Sequence, residues 1–472
     1  MARGVRHWFV DRFGLKPVYD RFLNRRVPKA PWYVGDGTTL TALFGIQLLT
    51  GIVLALTYSP AAESAHESVA YITERQVLGW FVRGLHYWSA GLMVVMLFYH
   101  LFRQILFAGY KAPREGTWFL GVTLFFCVLL MAYTGYLLRW DERAIHAIRV
   151  MLHMVSRVPL IGEALTGFVQ GGSDMGPRTL TRLYGLHAIA LPMLMMGLIG
   201  FHLYLVVLRG TITKGERERP VDSGEEQKRI YDAEKHSEKG GETFFPFTMF
   251  KTGVMVGAVV SLAIALTLIV GPRPVQSEAD LVGVSSPAEE WWFWWYSGLI
   301  ALLPPSIAPW FVVIFPPLVF LFLVSLPFID RSPWRGVRKR PLWVAAVVLT
   351  AIALLALSDY RRRSAFTAWP SSVPPEVPAG IMLSENTERG RHLFAKYGCN
   401  SCHPVAGSGS LSKVGPDLAQ TGGELPRERI REFILDPPED VAMPSYRERL
   451  SESELNALVE FCLAAQTFPR KL

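Results

Sequence analysis

Four histidines in two uncharged stretches could together hold metal. His86 and His100 lie fourteen residues apart within 84–102, and His187 and His202 fifteen apart within 183–208. At 3.6 residues per turn both spacings close nearly four turns, so each pair occupies one helix face, roughly 21 Å apart along the axis. Two such helices, if parallel, would ligate two planar metal cofactors one above the other, and haem is the natural fit. A single histidine in such a helix could equally be a core group bonded to a neighbour. Four in matched register within apolar sequence point to ligation.

A second constellation is Cys399-Asn400-Ser401-Cys402-His403, the pattern of covalent c-type haem attachment. The two thiols add to the haem vinyls and the adjacent histidine becomes an axial ligand. A zinc site would need a second ligand pair, and none accompanies this one. Met443, the only methionine after the motif, is the expected sixth ligand. Cys127 and Cys462 stand alone, so the four cysteines form no disulfide framework.

Membrane helices must position the histidines. Half of the 472 residues are hydrophobic, and apolar spans are expected at roughly 38–58, 84–106, 117–138, 183–208, 252–271, 305–329 and 341–358, each near the length that crosses about 30 Å of hydrocarbon. Basic residues cluster beside the spans: eight against three acidic in 1–37, and five against one in 330–340. That is the positive-inside pattern and argues against a nucleic-acid surface despite the pI near 9.3. With the N-terminus cytoplasmic, alternation makes the second and fourth spans parallel and puts the C-terminus outside, where c-type haem is attached. Arg361, Arg362 and Arg363 then lie on the outer side, against the rule. No cleavable signal peptide is expected, because charge interrupts 1–31.

The expected fold class is all-α: a polytopic bundle of seven membrane helices, the first four holding the two haems, with a small all-α domain appended. The divisions are an amphipathic segment 1–37, the di-haem domain 38–210, a charged and solvated linker 211–247 with no chemistry, a three-helix domain 248–360, a Pro-rich tether 361–383 and the C-terminal domain 384–472. Apolar residues at helical spacing in 142–170, broken by Pro159, predict a surface hairpin closed by a glycine turn at Gly171.

Arg83-Gly84-Leu85-His86, His100-Leu101-Phe102-Arg103, Pro113-Arg114-Glu115, Thr134-Gly135-Tyr136, Gly171-Gly172-Ser173 and Thr179-Leu180-Thr181-Arg182 resemble the cytochrome b family of quinol-oxidising bc and b6f complexes. The C-terminal part resembles a class I cytochrome c. The resemblance implies two non-covalent haems b, on His86 with His187 near the outer face and on His100 with His202 near the inner face, and one haem c. Arg83, Arg103, Arg114 and Arg182 would lie near haem propionates. It implies an outer quinol pocket roofed by the hairpin and lined by Tyr136. The family's Pro-Glu-Trp-Tyr motif reads Glu289-Glu290-Trp291-Trp292 here, which makes Glu290 the expected proton acceptor. The aromatic run alone would fit an interfacial belt. Arg139 stands where the family usually has proline. The extra covalent haem of the b6f branch needs a cysteine after a tyrosine, but Val34 follows Tyr33, so that haem is expected to be absent. Asp20 and Arg209 are candidate inner quinone contacts.

The implied function is the membrane haem subunit of a proton-translocating quinol:cytochrome c oxidoreductase in a bacterial cytoplasmic membrane. A Rieske iron-sulfur protein and a cytochrome c or terminal oxidase would be its partners, in a homodimeric complex. The alternative is a di-haem membrane anchor that wires the quinone pool to another redox module without splitting the electron pair. A channel would require every one of these ligands to be incidental.

Overall fold

Seven helices are long and apolar enough to cross a membrane: Asp36–Ala55, Gly79–Leu106, Glu115–Leu137, Pro177–Arg209, Phe244–Ile269, Ala308–Ile329 and Pro341–Arg363. The computed structural model describes residues 8, 11–29, 31, 34–172, 175–275, 289–304, 307–366, 374–407, 415–420, 425–438, 443 and 445–469. Every expected span is present, and the second, fourth and fifth begin earlier than hydropathy places them. Hydropathy marks where hydrocarbon starts, whereas the polar turns around Arg83 and Arg182 are already helical. Pro177 suits the first turn of the fourth span, since its missing N–H is one a helix start leaves unpaired.

One core of Leu43, Phe44, Met93, Leu97, Phe125, Val128 and Met195 ties the first four spans together. A second, with Ile105, Trp118, Val122, Leu323, Leu326 and Val347, seats the last two spans against the second and third. Trp118 Nε1 donates to the Leu323 carbonyl at 2.7 Å, satisfying both groups inside that contact.

The surface hairpin forms as Glu142–Ser156 and Gly162–Gln170. Asp141 caps its first helix by accepting the Ala144 N–H at 2.9 Å, and Gly171 ends the second at φ +79°, in the left-handed region.

The linker departs from expectation, because it is ordered and partly buried. It contains helices Lys214–Glu218 and Gly224–His236, and its strand Gly241–Thr243 pairs antiparallel with Arg26–Pro28 near the N-terminus. Glu216 is fully buried and accepts from both Nη atoms of Arg114 at 2.8 Å, from Arg335 Nη1 at 3.1 Å and from Gln227 at 3.0 Å. A charged run reads as solvated until partners 102 and 119 residues away close over it. Beside this cluster Asp330 pairs with Arg340 at 2.6 Å and Lys111 at 2.8 Å.

Burial alone would raise the Glu216 carboxyl pKa, but Arg114 and Arg335 outweigh it and hold it below the ordinary 4.5. The stabilisation is therefore present above that value and is lost as pH falls through the lower folded one. Glu216→Gln keeps the shape but strands two buried guanidiniums, with an expected loss of about 3–5 kcal/mol. Thermal unfolding of the detergent-solubilised protein should show a lower midpoint and a weaker acid dependence. A wild-type midpoint would dismiss the cluster as a clamp.

In the C-terminal domain, helices Glu385–Lys396, Arg427–Leu435 and Glu452–Gln466 pack around Phe394, Tyr446, Leu458 and Phe461. Ser384 and Ser451 cap the first and last by accepting from Thr387 N and Glu454 N. Gly390 lets these two helices cross closely, because a Cβ there would meet the Ala457 carbonyl.

Candidate functional site

The two histidine pairs form. The His86 and His187 ring centres lie 6.4 Å apart, and His202 lies within electrostatic reach of His100. The second and fourth spans therefore run in the same direction. Two metal–imidazole bonds of about 2 Å, with the radius of each ring added, span about 6 Å, so the first pair suits a six-coordinate iron between the rings.

Neighbours orient three of the four rings by occupying Nδ1, which leaves Nε2 for metal. Thr50 Oγ1 lies 2.8 Å from His86 Nδ1, Asp36 Oδ2 lies 2.8 Å from His100 Nδ1, and the Met131 carbonyl lies 3.1 Å from His187 Nδ1.

Four glycines face the four rings. A Cβ on Gly51 would lie 3.4 Å from His86 Cε1, and one on Gly37 3.7 Å from His100 Cε1. On the third span the same distances are 3.2 Å from Gly121 to His202 and 2.5 Å from Gly135 to His187. Both glycine pairs repeat the fourteen-residue histidine spacing. Side-chain-free strips opposite each imidazole give the flat room a porphyrin needs, so the residues present fit haem at both levels.

The C-terminal site is built likewise. His403 Nδ1 lies 3.0 Å from the Pro416 carbonyl, and a Cβ on Gly415 would sit 2.6 Å from that ring. Asp417 holds the loop by accepting from the backbone N–H of Ala406, Gly407 and Ala419 at 2.7–3.0 Å. Met443 packs against the same core as Cys399.

A cavity of about 730 Å3 runs from Tyr136 and Glu289 near the His86 end to Ile105 and Trp343 near the His100 end, lined also by Tyr133, Met151, His153 and Phe293 among others. Tyr136 is on its wall. Glu290 is fully buried and is not one of the described residues that line the cavity. Arg139 Nη1 makes ion-pair contact with its Oε1 at 2.8 Å, Arg273 pairs with its Oε2, and the Tyr87 hydroxyl donates to Oε2 at 3.0 Å. Glu289 is the carboxylate on the wall, 3.1 Å from Arg361 Nη2.

Comparison with known proteins matches residues 25–211 to the cytochrome b/b6/petB family model and residues 385–461 to the model for cytochrome c oxidase, cbb3-type, subunit III. The chain is 32% identical over 366 residues to the cytochrome bc complex cytochrome b subunit of Chlorobaculum thiosulfatiphilum, covering 76% of this chain and 80% of that one. The chain belongs to the cytochrome b family. It is also 34% identical over 208 residues to cytochrome b6 of Synechococcus sp. (strain CC9311), covering 44% of this chain and 95% of that one. Among solved structures, it matches a chain of a hyperthermophilic respiratory Complex III with a TM-score of 0.65 at 25% identity, over 84% of this chain and 94% of that one.

This cytochrome b is thus a multi-pass haem protein of a bc-type complex with a cytochrome c domain fused to its end. The four arginines expected at propionates all have protein partners. Arg103 Nε donates to Asp36 at 2.7 Å, beside His100. Arg83 donates to Thr73 Oγ1 at 2.9 Å and to the Arg273 carbonyl at 2.5 Å. Arg182 turns to the Phe168 carbonyl of the hairpin. Arg114 departs furthest, since its guanidinium is consumed by Glu216, Gly210 and Thr211 of the linker. Asp20 and Arg209 are exposed. Tyr33, which bears on the absence of a third haem, lies outside the described residues.

Sequence reasoning missed Asp36, Asp417 and the four glycines. The glycine spacing was available as a signal. Asp36 was not distinguishable from any acidic residue at a helix start.

Proposed function

We propose that this cytochrome b is the haem subunit of a quinol:cytochrome c oxidoreductase, with the His86 end facing outward and the His100 end facing the cytoplasm of a bacterial cell. Two haems b on His86 with His187 and His100 with His202, and one haem c joined through Cys399 and Cys402 and ligated by His403 and Met443, would supply one-electron carriage between the outer cavity, the inner face and the tethered domain. The single observation that carries this reading is the pair of stacked imidazole sites, each faced by glycines, adjoining a cavity that ends in a carboxylate.

The apolar walls of that cavity suit a prenylated quinol and exclude water. Tyr136 and Phe293, 6.4 Å apart, form an aromatic wall for its ring. Glu289 is the carboxylate that faces the cavity, and Glu290, the expected proton acceptor, lies buried behind it. The first electron goes to a Rieske-type partner and then to the C-terminal domain. The tether 361–383 keeps that domain at high effective concentration. The proposed complex is a homodimer with a soluble cytochrome c or an oxidase as final acceptor.

A redox-resolved visible spectrum with pyridine haemochrome analysis tests this directly. Two haems b per haem c are expected, with both b haems reduced by quinol when the inner site is inhibited. Reduction of the b haems without a co-purifying Rieske protein would instead favour the anchor reading.

Asp36 gives a separate expectation. It receives His100 and Arg103 together and lends the imidazole basicity that favours oxidised iron. Asp36→Asn should raise the midpoint potential of the inner haem b by about 59 mV, a tenfold change for one electron. Potentiometric titration reads it, and an unmoved inner potential would set Asp36 aside as a structural cap.

A further inference from the structure

We propose that Tyr446 and Tyr397 form a clasp that keeps Met443 at the haem c iron, and that opening the clasp frees the iron for an outside ligand. This rests on the reading of Cys399, Cys402, His403 and Met443 as the haem c set, and it assigns the side chains that hold that set together. The histidine and the methionine come from separate loops. His403 follows the helix Glu385–Lys396, whereas Met443 follows the helix Arg427–Leu435. Both can reach one metal only if the two loops are fixed against each other.

Tyr446, three residues beyond Met443, fixes them. Its side chain is 3% exposed in the domain core, and its hydroxyl donates to the Tyr397 carbonyl at 3.1 Å. Tyr397 ends the first helix, where the last turn leaves carbonyls without intrahelical partners. Two residues on is Cys399, whose sulfur lies within hydrogen-bond reach of the same hydroxyl. The Tyr446 backbone N–H donates to the Ile434 carbonyl at 3.0 Å, so the methionine loop is pinned to its own helix at the same point.

Tyr397 returns the contact. Its hydroxyl donates to Glu454 Oε1 at 2.9 Å, with the Arg449 carbonyl 3.4 Å away, so it holds the turn that follows Tyr446. The two rings lie 6.3 Å apart at 79°, the edge-to-face arrangement that aromatic pairs favour. Glu454 also caps the last helix with Ser451 and pairs with Lys396 at 3.3 Å, which ties the clasp to both long helices of the domain. Phenylalanine would fill the same space at either position. Only the hydroxyl supplies the donor, so each tyrosine is a positioning residue and more than a core ring.

The test uses the oxidised full-length protein in detergent with imidazole as the probe, read at the haem c absorbance with the b haems as internal reference. Imidazole takes only iron that Met443 has left, so its apparent affinity follows the fraction of open sites. Tyr446→Phe should tighten imidazole binding about fivefold, the equilibrium equivalent of losing one hydrogen bond of about 1 kcal/mol. Tyr397→Phe should tighten it less, because the Tyr446 hydroxyl keeps its backbone acceptor. An unchanged imidazole affinity in Tyr446→Phe with haem c attached overturns the clasp, even where the melting midpoint falls, since that outcome leaves packing alone. Should Tyr446→Phe accumulate without haem c, a wild-type imidazole affinity in Tyr397→Phe overturns it instead. A wild-type protein with no haem c by pyridine haemochrome, or without the near-infrared band of methionine-ligated ferric iron, defeats the underlying ligand reading as well.

Discussion

Gly135→Ala should strip the haem from the outer histidine pair while leaving the inner one in place. A methyl group there would lie 2.5 Å from His187 Cε1 and 3.1 Å from both of its nitrogens, where no relaxed contact exists. In an ordinary core one extra methyl costs about 1–3 kcal/mol, because neighbours shift to absorb it. Here the neighbour is the ligand, and shifting it misaims the nitrogen that must bind iron. Ligand geometry tolerates little error, so loss of the haem is the expected outcome. The companion substitutions should be graded by the room available. Gly121→Ala, at 3.2 Å from His202, should weaken the inner haem; Gly51→Ala at 3.4 Å and Gly37→Ala at 3.7 Å should do progressively less. Pyridine haemochrome ratios of b to c across the four variants would read this order directly. Full b-haem content in Gly135→Ala would remove the glycine strips from the account of the site.

Arg139→Leu is expected to destabilise the outer end of the bundle by about 3–5 kcal/mol, the cost of removing one partner from a buried ion-pair network. Arg139 is 9% exposed and bridges Glu290 at 2.8 Å and Asp141 at 3.3 Å. Asp141 is itself the cap of the hairpin helix over the cavity, so the hairpin should loosen together with the Glu290 wall. Glu290 keeps Arg273 and Tyr87 in that variant, so adding Glu290→Gln there should cost less than it does in the wild-type background, where it strands both arginines. A positive coupling energy in that double-mutant cycle identifies the pair as the source. Thermal unfolding followed at the b-haem absorbance is the appropriate reading. Simple addition of the two losses would show that Arg139 acts only through packing. The ion pair gives this arginine a physical role at the outer end of the bundle.

The histidine ladder, the seven spans, the hairpin and the attachment motif could all be read from the chain, because each depends on local periodicity or fixed spacing. Fourteen and fifteen residues return to one helix face whatever surrounds it, and a hydrocarbon slab selects apolar length regardless of packing. The tertiary structure decided what charges do. Arg114 reads as a flank beside a membrane helix, yet it closes on Glu216, and a segment that reads as a solvated tether becomes a packed layer. Glu289 and Glu290 are identical in type and adjacent in sequence. Only the placement of Arg139, Arg273 and Arg361, brought from three distant segments, makes one a wall and the other the edge of a cavity. Apolar periodicity is a property of the single helix, whereas the role of a buried charge is fixed by whichever opposite charge the fold delivers to it.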